Sequence, residues 1–355
     1  MMSNNYSLQK NQKVESLNGI RFIFATLVFI CHWYSSIGIE YSSFNFEKFG
    51  SYSVIFFFSL SGFFLGLKYK DNFAKINKKE YIIFVKKHFF KGYLLYIVTS
   101  IPFIVEAVIE GQNFSKLAIK LLLNLLCIQS FVPYNSSISF NSVGWFTSCL
   151  FILYALLPFI LRLFDICWNK NKYLLLIIGG ICLLPNICML RILPTFYITP
   201  YYRIFQFSFG IVGSYYVVHI ANKIKFHILK FIQVIAILLM AILYVMQVHT
   251  YFDELMMSLL SVILIISLFI IQKSIVSNIL ASKILKFFGG ISGELYLIHY
   301  PIIILLGYRF KSLYVVSLIT AVKYGLVLYI LTLVLSIVYK ITINFINNRK
   351  IKTNY

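Results

Sequence analysis

Residues Leu17–Ser36 read LNGIRFIFATLVFICHWYSS, an apolar run about twenty residues long that carries two ionisable side chains, Arg21 and His32. A run of this length crosses a hydrocarbon slab ~30 Å thick when it is helical. A helix turns by about 100° per residue, so eleven steps return to the same face, and the two groups stand roughly 16 Å apart along it. An ionisable side chain inside a membrane helix is costly unless it faces protein or a watery cavity, so the shared stripe predicts a lined pocket. Each residue also has a plainer reading. His32 can donate to a backbone carbonyl as a packing group, and Arg21, close to the start of the run, can reach outward to lipid phosphate.

Working outward, the same kind of run recurs along all 355 residues, which are 60% hydrophobic and only 12% charged. No soluble core needs that many apolar stretches. The prediction is an all-α, polytopic integral membrane protein with spans at about 17–36, 51–67, 91–109, 144–162, 173–190, 204–220, 228–247, 255–271, 288–308 and 318–340. The expected organisation is a short tail at 1–16, one membrane domain at 17–343 and a basic tail at 344–355.

The net charge of +21 would suit a nucleic-acid binder only if it were gathered on one face. Instead, about 23 of the 32 Lys and Arg fall in alternate connections. The stretch from Lys68 to Lys91 supplies the largest group of them. This bias places both termini on the cytoplasmic side of an inner, or plasma, membrane, with no nucleic acid as partner. Between Lys116 and Phe131 a short apolar segment is interrupted by Lys116, Lys120 and Asn124, and it reads as an interfacial helix on the outer side. No cleavable leader is read before the first span, and no extramembrane domain is expected after Lys340.

Six cysteines, Cys31, Cys127, Cys149, Cys167, Cys182 and Cys188, show neither a Cys-x-x-Cys pair nor a His at zinc spacing, so no metal site is expected. Glycine-rich phosphate loops and Gly-x-Ser-x-Gly elbows are also missing from the sequence.

A second chemistry-bearing stretch lies in the ninth run. Glu294 should sit at about the depth of Arg21, either paired with it or serving as structural partner to a neighbouring Lys. Glu106, near an outer end, is within reach of water. Ser292, Tyr296 and His299 follow i, i+4, i+7 spacing and share a face, and Pro301 removes a backbone donor. That segment reads equally as a functional face or as a kinked packing segment.

Taken together, these residues resemble the membrane acyltransferase-3 family. Leu17-Asn18-Gly19-Ile20-Arg21 with His32 resembles its first-span signature, and Phe56-Phe57-Phe58-Ser59-Leu60-Ser61-Gly62-Phe63 its second-span motif. Trp145-Phe146-Thr147-Ser148 is similar to its Trp-Phe-Leu-Ser variant, and Ile291-Ser292 through Pro301 to its Ile-Ser…Tyr-Leu-x-His-x-Pro signature. One departure is that the family's Arg-x-x-Arg pair with a following proline is matched here by His88-Phe89-Phe90-Lys91-Gly92-Tyr93-Leu94, with charge kept at Lys86, Lys87 and Lys91. Lysine keeps the charge without arginine's planar fork, so a topology-setting charge run stands beside coenzyme binding as a reading of that stretch.

The resemblance implies an acyl-CoA donor, in particular acetyl-CoA, with no permanently bound cofactor. It also implies a hydroxyl acceptor on an extracytoplasmic, surface or lipid-linked carbohydrate. Donor phosphates would meet Arg21 and the basic connection, and the pantetheine arm would extend toward His32. A sugar hydroxyl is scarcely ionised near neutrality, and His32 is the candidate base because burial favours its neutral, proton-accepting form. A covalent acyl-histidine route is equally open.

Ser61, Tyr296 or His299 would orient the imidazole or donate to the oxyanion. Trp145, with Ser148 in the same motif, would contact the acceptor sugar, and Arg203 a lipid-linked phosphate. The plainer roles are an interfacial aromatic belt for Trp145 and lipid headgroup contact for Arg203. Outside this class, a transporter or flippase for a lipid-linked saccharide would use intramembrane Arg, Glu and His as its path, and a non-catalytic envelope scaffold is a third reading. Oligomeric state, acyl length and acceptor position are not encoded in spacing.

Overall fold

The computed structural model describes residues 14–37, 46–71, 73, 76–132, 139–187, 193–246, 251–307 and 318–352. The main helices among the described residues are α1 (Glu15–Ile37), α2 (Glu47–Tyr69), α3 (Lys78–Ile109), α4 (Phe114–Leu125), α5 (Trp145–Lys170), α6 (Lys172–Leu183) and α7 (Pro200–Lys223), followed by α8 (Phe226–Met246), α9 (Tyr251–Ile270), α10 (Ile275–Leu280), α11 (Lys283–Gly289), α12 (Ser292–Ile302) and α13 (Leu318–Lys352). Among the described residues, eight helices are long and apolar enough to cross a membrane, and the bent pair α11 and α12 makes a ninth. The described part of the expected fifth span is the apolar helix Lys172–Ile187, and 188–190 lie outside the described residues. That helix runs the length of its neighbour, because the Tyr216 hydroxyl donates to the Lys172 carbonyl at one end of α7 while Asn186 meets Tyr202 and Gln206 at the other.

Two close crossings hold the bundle. A Cβ at Gly62 of α2 would collide with the Phe207 carbonyl of α7, and one at Gly210 of α7 would collide with the Ser59 carbonyl of α2. Small residues of this kind let membrane helices approach backbone to backbone, where dispersion replaces the hydrophobic driving force. Phe56, Phe58 and Phe63 on α2 are fully buried around that crossing. The second crossing seats Gly19 of α1 against the Leu280 carbonyl and Gly289 of α11 against the Asn18 carbonyl. The glycines of the first- and second-span motifs are therefore packing positions.

Helix α3 begins well before the expected span at 91–109. The Asn77 side chain accepts from the Glu80 amide at 2.9 Å, and the Glu80 carboxylate accepts from the Asn77 amide at 3.0 Å. This reciprocal cap, of a kind worth about 1 kcal/mol, starts the helix inside the charged connection. Hydropathy marks only the apolar portion, whereas Lys and Glu are good helix formers in water. At the other end of the chain, α13 runs on through the expected tail to Lys352.

Helix α4 was expected to lie at the interface. It follows a turn at Gly111, yet its far end returns to the middle of α3, where the Tyr93 hydroxyl donates to the Leu125 carbonyl and the Tyr96 hydroxyl to Asn124 Oδ1. Twelve residues span about 18 Å, close to the distance along α3 from its end back to Tyr96. So α4 folds back alongside α3. After α4 the described backbone at 126–132 and 139–141 leaves the α-helical ladder and needs partners at that depth, while 133–138 lie outside the described residues. Asn124, Gln129 and Ser148 supply them: Asn124 accepts from the Phe140 amide, Gln129 donates to Tyr96 and the Gly144 carbonyl, and Ser148 donates to the Cys127 carbonyl.

The expected ninth span, 288–308, is not one straight helix. α11 and the segment Ser292–Gly307 meet at 69°. The bend falls at Gly289–Gly290 rather than at Pro301, because the close seat against Asn18 fixes the first glycine. Beyond Pro301 the chain continues as a π-helical turn, Ile303–Gly307.

Candidate active site

Arg21 and His32 do share one side of α1, and each meets a different set of neighbours. Arg21 lies in the electrostatic field of Tyr154 and Glu294, and Tyr154 in turn interacts with Ser61. The His88 ring is 5.3 Å from that of Tyr154. Arg21, Ser61, His88, Tyr154 and Glu294 thus come from α1, α2, α3, α5 and α12 to one level of the bundle.

Glu294 had two candidate partners, Arg21 or a lysine. The ion pair goes to Lys340 of α13, Nζ to Oε1 at 2.6 Å. Among the described residues no hydrogen bond or ion pair joins Arg21 to Glu294, and the guanidinium feels the carboxylate without touching it. Glu294 lies in the first turn of α12, where the helix dipole favours an anion. Lys86 and Lys87 are exposed on α3, and His88 Nδ1 lies 2.9 Å from the Phe84 carbonyl, a donor's position. Lys91 is on the same helix, but its side chain lies outside the described residues.

At the next level His32 faces a second imidazole. The His32 and His299 ring centroids are 5.3 Å apart, and Tyr300 lies 5.4 Å from His32 on another side. His299 is fully buried, with Nδ1 at 3.2 Å from the Leu295 carbonyl. A carbonyl can only accept, so Nδ1 carries the proton and Nε2 presents a lone pair. That Nε2 has no hydrogen-bond partner, and among the rings packed on His299 that of His32 is nearest. Tyr296 fills the space between His299 at 5.8 Å and Phe146 at 4.8 Å, and the buried Ser292 hydroxyl is unpartnered.

Asn141 keeps this arrangement in place, and sequence reasoning did not single it out. Pro301 has no N–H, so the carbonyl four residues earlier, Leu297, loses its helical donor. Asn141 Nδ2 donates to that carbonyl at 3.0 Å and to Thr99 Oγ1 at 3.0 Å. The Asn is completely buried, ahead of a short turn that leads into α5. The sequence signal was the proline; its remedy, more than a hundred and fifty positions away, carried none.

The far level contains Trp145 and Arg203. Neither takes the plainer role, since Trp145 is buried and Arg203 is 0% exposed, with no route to lipid headgroups. Arg203 Nε donates to the Tyr197 carbonyl at 2.9 Å, and its guanidinium carbon lies over the rings of Tyr197 (4.1 Å), Tyr202 (4.9 Å), Trp145 (5.4 Å) and Phe58 (5.6 Å). Ser148, expected to touch acceptor, is fully buried and engaged with Ser130 Oγ at 2.7 Å and the Cys127 carbonyl at 2.8 Å. Burial pushes the Cys127 thiol up to about 12, which leaves it unreactive near neutrality. Cys188 lies outside the described residues. An apolar groove of about 340 Å³ between α7, α8 and α9 is lined by Ile220, Leu229, Ala236, Leu260 and Ile266 and carries no ionisable group.

The bundle therefore presents three polar levels in sequence: a charged one around Arg21, an imidazole pair in the middle, and a guanidinium among aromatic rings beyond. No curated protein and no solved structure shows a significant match to the chain. A family model described as an acyltransferase domain matches residues 14–341, nearly the whole chain. With its motifs distributed over those three levels of an all-α membrane bundle, the protein belongs to the acyltransferase-3 family and is a membrane acyltransferase.

Proposed function

We propose that the protein moves an acetyl group from acetyl-CoA on the cytoplasmic side to a hydroxyl of an extracytoplasmic or lipid-linked carbohydrate. The observation that supports this reading is the pairing of His32 with His299, eleven residues along α1 from a charged level able to hold an anionic donor. Arg21, with Lys86 and Lys87 toward the charged end of α3, would hold the coenzyme phosphates by charge-assisted hydrogen bonds. The roughly 16 Å between Arg21 and His32 suits an extended pantetheine arm, which brings the thioester to the imidazole.

In the transfer step the acceptor oxygen attacks the thioester carbonyl while its proton passes to His32. The tetrahedral intermediate collapses with cleavage of the C–S bond. His32 returns the proton to the departing sulfur, releasing the free thiol and the O-acetyl sugar. A positioned base of this kind contributes ~10²–10⁴-fold. His299, uncharged with its Nε2 lone pair free, positions the protonated His32 that forms on the way. Glu294 acts at the charged level by holding Lys340 near the donor's path, and Tyr296 shields the imidazoles from water.

The test uses membrane vesicles bearing the full chain, labelled acetyl-CoA and the extracted envelope glycans. Label should appear on glycan oxygen with the native protein and vanish with His32→Ala at equal membrane abundance. Undiminished transfer by His32→Ala would remove His32 as the base. Glycans translocated but chemically unchanged would favour the transporter reading.

A further inference from the structure

The Arg203 guanidinium is completely buried and holds one acceptor, the Tyr197 carbonyl on Nε. Its Nη1 and Nη2 atoms are inaccessible to solvent, and neither has a hydrogen-bond partner. Leaving such donors unsatisfied is expensive, more so for a charged group. The Tyr197 phenol is a weak side-chain partner of the guanidinium, outside hydrogen-bonding geometry for either terminal nitrogen, and its ring covers the cation; burial pushes that phenol up to about 12, so it stays neutral. The cation–π walls soften the desolvation of the charge but accept no N–H at hydrogen-bonding geometry.

One turn further on the same face of α7, Gln206 is also fully buried, and its Oε1 lacks a donor while its Nε2 donates to Asn186 Oδ1 at 2.8 Å. Two orphan donors and one orphan acceptor therefore stand side by side beneath an aromatic wall.

The surrounding charges decide what fits. Lys48 and Asp253 are paired with each other, and Tyr52 donates to Asp253 at 2.7 Å. Glu254 accepts from the Tyr202 hydroxyl and faces Arg203 electrostatically. Each cation here thus already faces a carboxylate. An anionic ligand would leave an excess negative charge in a desolvated place, whereas a neutral ligand rich in oxygen satisfies the donors without adding charge.

We infer that the Arg203 cage is a sugar-binding subsite, seating a neutral pyranose ring against Trp145 and Tyr197, with hydroxyl or acetamido oxygens on Nη1 and Nη2 and a hydroxyl donated to Gln206. The inference rests on the carbohydrate-acceptor reading above and deepens it, naming an uncharged sugar in place of the lipid-linked phosphate that sequence alone suggested for Arg203. The cage adjoins the imidazoles through Phe146, which packs on Trp145 at 6.2 Å and on Tyr296 at 4.8 Å.

The experiment places the full chain in nanodiscs without acyl donor and follows tryptophan emission. The probes are methyl glycosides of glucose, galactose and N-acetylglucosamine, their disaccharides, methyl glucuronide and inorganic phosphate. At least one neutral glycoside should give a saturable change that Trp145→Phe abolishes, weakened at least tenfold by Arg203→Gln and Arg203→Lys and several-fold by Gln206→Leu. If Arg203→Gln does not fold, Arg203→Lys and Gln206→Leu carry the test.

Tighter binding of phosphate or glucuronide than of every neutral glycoside would overturn the inference in favour of an anion site. So would the absence of any glycoside response, or equal affinity in Arg203→Lys, in favour of a guanidinium satisfied by water alone. Because no acetyl-CoA is present, loss of sugar binding here and loss of label transfer in the vesicle assay are separate failures.

Discussion

Arg21 and Arg203 are held in opposite ways. Arg21 keeps partial exposure and feels Glu294 and Tyr154 without a direct bond, whereas Arg203 is sealed among four rings with only its Nε tied down. A loosely held cation at a polar level suits a donor that arrives and leaves in every turnover. An enclosed one, already balanced by a carboxylate, suits a ligand selected for shape and hydrogen bonding. The difference teaches that the same residue type serves attraction at one end of the bundle and discrimination at the other, with the imidazole pair between them.

The sharpest way to break that comparison is to remove the middle. His32→Ala should lower turnover by ~10²–10⁴-fold while leaving donor and sugar affinities within a factor of a few, measured as labelled transfer beside separate binding curves. Unequal loss of the two affinities would mean that the ends communicate through the imidazole.

Next in size, Arg21→Gln should raise the KM for acetyl-CoA by about 10–100-fold, the worth of a charge-assisted bond of about 1.5–3 kcal/mol, with the KM for acceptor unmoved. Arg203→Gln should do the reverse. A matched rise in both constants for either variant would erase the division of labour.

A third test reaches the level between. Asn141→Ala strips the Leu297 carbonyl of its donor and should cost about 1–3 kcal/mol, read as a lower unfolding midpoint in detergent. Both KM values should hold while kcat falls, because the residue steadies the helix carrying His299. Smallest of all, Lys340→Gln should change stability by ~1 kcal/mol or less, since the ammonium is 41% exposed. Its effect should appear mainly in donor KM at low salt and fade as ionic strength rises.

Much of this architecture was legible in the chain because it depends on period. The helical repeat alone put Arg21 and His32 on one side of α1, and Ser292, Tyr296 and His299 on one side of α12. The rest depends on how separate helices register. Whether Glu294 meets Arg21 or Lys340 is settled by where α13 slides past α12, and no local pattern specifies that. Arg203 looked like an outer-surface cation because hydropathy places a residue by distance from a span's end, while its true surroundings come from α2, α5 and the turn Pro194–Ile198. The bend at Gly289 escaped notice since a proline nearby offered a more familiar explanation. Helix α4 was misplaced because an apolar stretch reveals its composition but not the angle at which it leaves its predecessor.

The paired glycines where α2 crosses α7 carry a genetic consequence. Each presses on the other helix's carbonyl, so even an added methyl would pry Phe58 and Arg203 apart, and a change at one position has no compensating change at the other. A screen for inactive alleles should therefore recover Gly62 and Gly210 alongside His32, although neither glycine has any group with which to do chemistry. Immunoblotting the membranes would sort the two kinds: His32 alleles should accumulate normally, and the glycine alleles should be cleared by quality-control proteolysis.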